Sequence, residues 1–404
     1  MNILLPRGFS RRQVLAGLAA GSLVACSPPV APVTAGPADS NGGTAPSTPP
    51  VIPPGTAWEG WQRFASRFVK ADGRVADVTF GGKTTSEGQS YGLFFALVAG
   101  ERERFDRILR WTDEQLAGGA LGTRLAGWLW GQRADGSWGL KDRGPASDAD
   151  LWMAYTLLEA ARLWQEPAYE ATARALLAQI VERETVELAA GRVLLLPGPY
   201  GFALGDGRYR FNPSYLPGFL FRALGDADPA GPWARLWSTY EGLAPLLFPA
   251  GVAPDLCVVT RGGEVLPDEE RGPVGSYDAI RVYLWAGLTG DRDAVLLSAL
   301  RGFVTAIARF GSPPEKIHTL TGEALPGHYL PPGFAGAVLP FLATLRETGL
   351  LTGVERQVAE HRQQAREGAV THYYDEALIL FGAGWLEGRY RLDQGGRLQV
   401  PWAG

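Results

Sequence analysis

The chain has 404 residues, 46% of them hydrophobic and 20% charged, a composition that can bury a large core and excludes disorder throughout. Its formal charge is −4, and loss of residues 1–25 would remove Arg7, Arg11 and Arg12 and no acid, leaving −7. Neither value offers the basic stripe that nucleic acid requires, and both fit a neutral or cationic partner.

Ser10-Arg11-Arg12-Gln13-Val14-Leu15 stands ahead of an apolar stretch, residues 14–25, too short to span a bilayer comfortably. A twin arginine before a short apolar segment reads as a Tat export signal. Leu23-Val24-Ala25-Cys26 resembles a bacterial lipobox. Residues 1–26 are therefore expected to be a signal ending at a lipidated Cys26; the competing expectation is an ordinary signal peptide and a secreted product. Ser27, not Asp, follows the cysteine, which directs the expected anchor to the outer membrane, facing the periplasm. Residues 27–56 are rich in Pro, Gly, Ser, Thr and Ala and read as a tether.

From residue 57 to residue 404 no linker interrupts the chain, and one domain is expected. Helical periodicity dominates. Leu151, Ala154, Leu157, Leu158 and Ala161 share one face of a helix for which Asp148 is the expected N-cap. Similar stretches lie near 58–70, 88–99, 104–117, 168–188, 214–224, 232–247, 277–288, 292–309, 333–348, 353–365 and 371–386. Val193-Leu194-Leu195-Leu196 and Tyr209-Arg210-Phe211 look like β-hairpin insertions, and no long apolar strands alternate with the helices. About a dozen helices joined by Gly- and Pro-rich loops predict an all-α domain of helical hairpins, stacked or closed into a ring, with function where the loops converge. Cys257 has no partner once Cys26 is lipidated, so no intramolecular disulfide is expected and burial as a small hydrophobe is the expected role.

Thirteen Trp and thirteen Tyr serve the core for the most part, but flat apolar faces are also what sugar rings stack on. His318, His328, His361 and His372 lack metal-ligand spacing, so no zinc site is expected. Asp148-Ala149-Asp150 could be a metal-binding Asp-x-Asp, but a helix follows it and no nucleotide fold precedes it. Gly88-Gln89-Ser90-Tyr91-Gly92 matches the Gly-x-Ser-x-Gly nucleophile elbow of esterases, which needs a buried strand before the Ser; Lys83-Thr84-Thr85-Ser86-Glu87 is polar instead. What remains is carboxylate chemistry: one carboxyl that donates a proton and another that activates water or attacks directly. Glu87, with Gly88 and Gly92 allowing close approach and Tyr91 able to line a pocket, is the candidate acid.

Three segments carry a resemblance. Gly82-Lys83-Thr84-Thr85-Ser86-Glu87-Gly88-Gln89-Ser90-Tyr91-Gly92 resembles the proton-donor motif of glycoside hydrolase family 8. Ala146-Ser147-Asp148-Ala149-Asp150-Leu151-Trp152-Met153-Ala154, running on to Trp164, resembles that family's signature, with Thr156 where Ser or Ala is usual. Ser276-Tyr277-Asp278-Ala279-Ile280-Arg281 resembles the segment with its general base. The resemblance implies an (α/α)6 barrel and hydrolysis with inversion, without metal or other cofactor. Residue by residue it implies Glu87 as acid, Asp278 as base and Asp148 as the carboxylate that binds the distorted sugar. Tyr215 would help hold the water, Arg281 would orient Asp278, and Tyr91, Trp130, Trp138 and Tyr277 would contact substrate.

An Asp at position 278 points to the branch with endoglucanases. Trp138-Gly139-Leu140-Lys141-Asp142 and the segment from Ser276 to Trp285 look most like the periplasmic cellulases that accompany bacterial cellulose synthases. The implied partners are a β-1,4-glucan and a cellulose synthase complex, with chitosan or xylan as the competing substrates.

Overall fold

The structure, a computed structural model, describes residue 53, residues 55–327 and residues 329–403. The expected signal, the lipidated Cys26, most of the tether and His328 lie outside the described residues.

Helix α1 (Glu59–Phe68) buries Trp61, Phe64, Ala65 and Phe68, an i, i+3, i+4, i+7 stripe that puts one face against the protein and leaves the other to water. Helix α2 (Ser86–Val98) differs: every residue but Glu87 is buried, as expected for a helix surrounded by protein. Then follow α3 (Arg102–Thr112), α4 (Ser147–Trp164), α5 (Pro167–Glu184), α6 (Gly218–Ala227), α7 (Trp233–Leu247), α8 (Ile280–Thr289), α9 (Ala294–Ala299), α10 (Arg301–Phe310), α11 (Pro332–Thr344), α12 (Thr348–Arg366) and α13 (Tyr373–Leu386). The same alternation runs along the chain: α8 is buried throughout, whereas α12 buries only Val354 and Val358. Helices α2, α4, α6, α8, α11 and α13 form the inner ring of an (α/α)6 barrel; α1, α3, α5, α7, the pair α9–α10 and α12 form the outer one.

Large rings fill the centre. Phe381 of α13 lies 4.6 Å from Phe95 of α2, 5.2 Å from Trp152 of α4 and 5.2 Å from Trp285 of α8, centroid to centroid. Trp152 also meets Phe219 of α6 at 5.8 Å. Each tilted or edge-on pair adds about 0.5–1.5 kcal/mol beyond its burial, so the centre is a packed core and not a channel.

Short antiparallel sheets decorate the helices, as the sequence suggested. Strands β1 (Thr84–Thr85), β2 (Leu129–Gln132) and β3 (Trp138–Asp142) form one beside α2. Strand β4 (Thr185–Glu187) pairs with β5 (Val193–Leu195). A four-stranded sheet joins β6 (Ala203–Gly205), β7 (Arg208–Phe211), β8 (Cys257–Thr260) and β9 (Val265–Pro267), with Cys257 buried and unpaired in β8. Strand β10 (Val274–Gly275) pairs with β11 (Ile317–His318), which pairs with β12 (Glu323–Ala324) just ahead of α11.

Three local expectations shift. The helix expected near 168–188 stops at Glu184, because Thr185–Glu187 pair with Val193–Leu195 instead. The expected 292–309 helix breaks at Leu300, where the Phe303 N–H donates to the carbonyl of Gly251 at 3.0 Å and leaves the helical ladder. Asp148 is not an N-cap: α4 begins at Ser147, whose hydroxyl donates to the carbonyl of Leu196 at 2.6 Å, and Asp148 sits inside the first turn. Its carboxylate is engaged elsewhere.

Candidate active site

Glu87 and Asp148 each lie in the first turn of an inner helix, and Asp278 lies two residues before another. A helix N-terminus places unsatisfied N–H groups and the positive end of the macrodipole beside a carboxylate, which favours negative charge there.

Glu87 is half-buried, and its carboxyl is gripped on both oxygens. Trp128 donates its indole N–H to Oε1 at 3.0 Å, and the Ser86 hydroxyl donates to Oε2 at 3.3 Å. The hairpin β2–β3 brings Trp128 there, since β1 runs straight into α2 and pairs with β2, Thr85 opposite Leu129. Thr85 caps α2, its hydroxyl accepting from the Gly88 N–H at 3.1 Å. Gly88 sits against Tyr373, where an added Cβ would lie 3.2 Å from the phenol oxygen.

Arg281 joins the rest. Its Nη1 donates to Asp148 Oδ2 at 3.0 Å and to the Tyr91 hydroxyl at 3.1 Å, and its Nη2 donates to Asp278 Oδ1 at 2.7 Å. The guanidinium also lies over the ring of Tyr215, 5.5 Å from its centroid. Arg281 is 5% exposed, so these pairs act in a medium that screens them poorly. Asp148, 2% exposed, has a carboxyl pushed up to about 7, first by burial and then by the charge of Glu87, with Arg281 opposing both. Burial and the same carboxylates push the Tyr215 phenol well above its ordinary range. One cation thus holds the carboxylate of α4 and the carboxylate of the turn before α8, beside a third on α2.

The other candidates differ in exposure. Trp130 and Trp138 face each other across β2–β3 with centroids 5.2 Å apart, and Trp138 is 45% exposed. Arg74 lies over both rings, at 4.9 and 5.6 Å. Tyr277 directs its hydroxyl to Glu315 Oε1 at 3.0 Å and packs edge-on against Phe334. Tyr91 is 3% exposed, with its ring between Trp152 and Phe381, so only its hydroxyl takes part in the polar network. Ser90 is fully buried in the second turn of α2, where its hydroxyl donates to the carbonyl of Glu87 at 2.9 Å. It forms no strand-to-helix elbow.

Sequence reasoning missed Trp128 and Asp255. Asp255 Oδ1 accepts from the backbone N–H groups of Ser276, Asp278 and Ala279 at 2.7, 3.0 and 2.8 Å. Ala253-Pro254-Asp255 carries no local signal for that role; Trp128, two residues before Trp130, could only have been one more aromatic.

The set provides a carboxyl held by an indole and two carboxylates bridged by one arginine, with Trp130 and the exposed Trp138 as further rings. The sequence profile of the glycosyl hydrolases family 8 matches residues 54–388. An endoglucanase of Xanthomonas axonopodis pv. citri is 42% identical over 349 residues, covering 85% of this chain and 89% of its own. An endoglucanase of Escherichia coli strain K12 is 40% identical over 352 residues, covering 85% and 91%. The crystal structure of an endo-1,4-D-glucanase from Vibrio fischeri ES114 superposes with a TM-score of 0.81 at 36% identity, over 86% of this chain and all of the other.

Proposed function

The chain belongs to glycosyl hydrolase family 8, and from that membership we propose an endo-β-1,4-glucanase that cuts cellulose-type glucan internally with inversion. Glu87 protonates the glycosidic oxygen. Asp278 removes a proton from the water that attacks the anomeric carbon from the opposite face. Asp148 holds the sugar next to the scissile bond, Arg281 orients both aspartates, and Trp130 and Trp138 offer a stacking surface. The observation that carries this reading is the Arg281 bridge between Asp148 and Asp278, with Glu87 held separately by Trp128. Two carboxyls with distinct surroundings suit distinct roles.

Inversion requires space for a water between base and sugar, for which carboxyl separations of about 6.5–9.5 Å are typical. Glu87→Gln and Asp278→Asn should each abolish release of reducing ends from carboxymethyl-cellulose while circular dichroism stays unchanged. Turnover at the wild-type rate in either variant would sink the assignment. NMR of the first-formed product should show the α-anomer; the β-anomer would mean retention. Faster cleavage of chitosan or xylan than of carboxymethyl-cellulose would replace the glucanase reading.

We also propose that the protein is exported by the Tat route, is anchored through Cys26 to the outer membrane, and trims glucan emerging from a cellulose synthase complex. The twin arginine, the lipobox-like residues and the proline-rich tether support this. Cys26→Ser should move the protein from the membrane fraction to the soluble periplasm; unaltered membrane association would exclude the anchor.

A further inference from the structure

We propose that Asp255 is a positioning residue for the base, its carboxylate holding the turn 276–279 in the shape that fixes Asp278. This rests on the reading of Asp278 as base. The turn has few other restraints on its amides: the N–H groups of Ser276, Asp278 and Ala279 all converge on Asp255 Oδ1. One acceptor bonded by three donors fixes three peptide planes within four residues, which a lone cap does not.

The rest of the turn is tied from the outside. Tyr374 of α13 donates its hydroxyl to the Tyr277 carbonyl at 2.6 Å, and the Ser276 hydroxyl donates to the Glu315 carbonyl at 2.8 Å. Gly275 makes the approach possible, since a Cβ there would collide with the carbonyl of Ala253. Asp255 is itself anchored, its N–H donating to Val274 at 2.9 Å, while the neighbouring Ala253 N–H donates to the Tyr283 hydroxyl at 2.8 Å. Asp278 is thus carried by a turn whose shape depends on one carboxylate outside the helix. Its side chain then meets Arg281 without having to find it.

The arrangement has an electrostatic consequence. Burial and the nearby charge of Asp278 push the Asp255 carboxyl up to about 7, opposed by the three backbone bonds. The charged and titratable groups around the pair are Arg281 and Tyr283 of α8, Asp148 of α4, Glu87 and Tyr91 of α2, Tyr215 and Tyr374.

Two variants test the acceptor. Asp255→Ala leaves three buried N–H groups without their acceptor and frees the turn; a displacement of about 1 Å can cost ~100-fold, so kcat should fall by about that factor with KM unchanged. Asp255→Asn retains an amide oxygen for the same donors. It should recover most of kcat. Wild-type kcat in Asp255→Ala, or a kcat in Asp255→Asn as low as that of Asp255→Ala, overturns the proposal. Should Asp255→Ala fail to fold, Asp255→Glu, which keeps the carboxylate but displaces its oxygens by one methylene, decides: kcat should fall with KM unchanged, and wild-type kcat overturns the proposal. If Asp278→Asn is inactive while Asp255→Ala is fully active, only this inference falls; if Asp278→Asn turns over normally, the base assignment falls with it.

Discussion

A carboxyl that must deliver a proton to one oxygen needs a fixed direction as much as a suitable acidity. Trp128 supplies direction to Glu87: its indole N–H is a donor only, so it can hold Oε1 but never compete for the proton. Trp128→Phe keeps most of the ring's packing and removes this donor. A hydrogen bond to a charged group is worth about 1.5–3 kcal/mol, so kcat should fall about 10- to 100-fold with the unfolding midpoint little changed. An unchanged kcat would mean that the indole is only a wall. Arg281 works differently, because it compensates two carboxylates at once and lies buried while doing so. Losing it would leave uncompensated charge in the core, so a change there would mix stability with chemistry.

At the scale of the helices, the inner ring is held at close range by glycines. Gly382 of α13 packs on the backbone of α11, where an added Cβ would collide with the Gly336 carbonyl. Gly287 of α8 meets the backbone of α11 at Pro340 and Phe341 in the same way. Without side chains the helices come near enough for Asp375 of α13 to cap α11, its Oδ1 accepting from the Gly333 N–H at 2.9 Å. Gly382→Ala should therefore destabilise the fold by about 1–3 kcal/mol, the usual cost of overpacking. Denaturant titration should show a lower midpoint with the same m-value; an unchanged midpoint would show that α11 and α13 can move apart freely. The same spacing sets the site, since Tyr374 reaches the Tyr277 carbonyl from α13 across the ring.

For the whole molecule, burying acids has a cost in stability. Asp148 is pushed up to about 7 and Asp293, buried against Arg222, to about 6, burial being the first cause in each. An unfolded Asp titrates near 4. Between about pH 4 and 7 the folded state holds protons that the unfolded state has lost, so stability from these groups falls as pH rises through that window. The protein should melt higher at pH 5.5 than at pH 7.5, and Asp148→Asn should flatten that slope; equal slopes in both proteins would rule Asp148 out as the source. The sequence by itself determined the helical class and the hairpin insertions, because periodicity is a local property, and the resemblance of three contiguous motifs named Glu87, Asp148, Asp278 and Arg281. Only the tertiary structure decided that Trp128 serves Glu87 and that Asp255 serves the turn before α8. Those partners stand 41 residues from Glu87 and 21 to 24 from the amides of the turn, and come to them through hairpins and loops without local signature. It also removed Asp148 from the expected cap, since its place in the first turn of α4 leaves its carboxylate to an arginine 133 residues away.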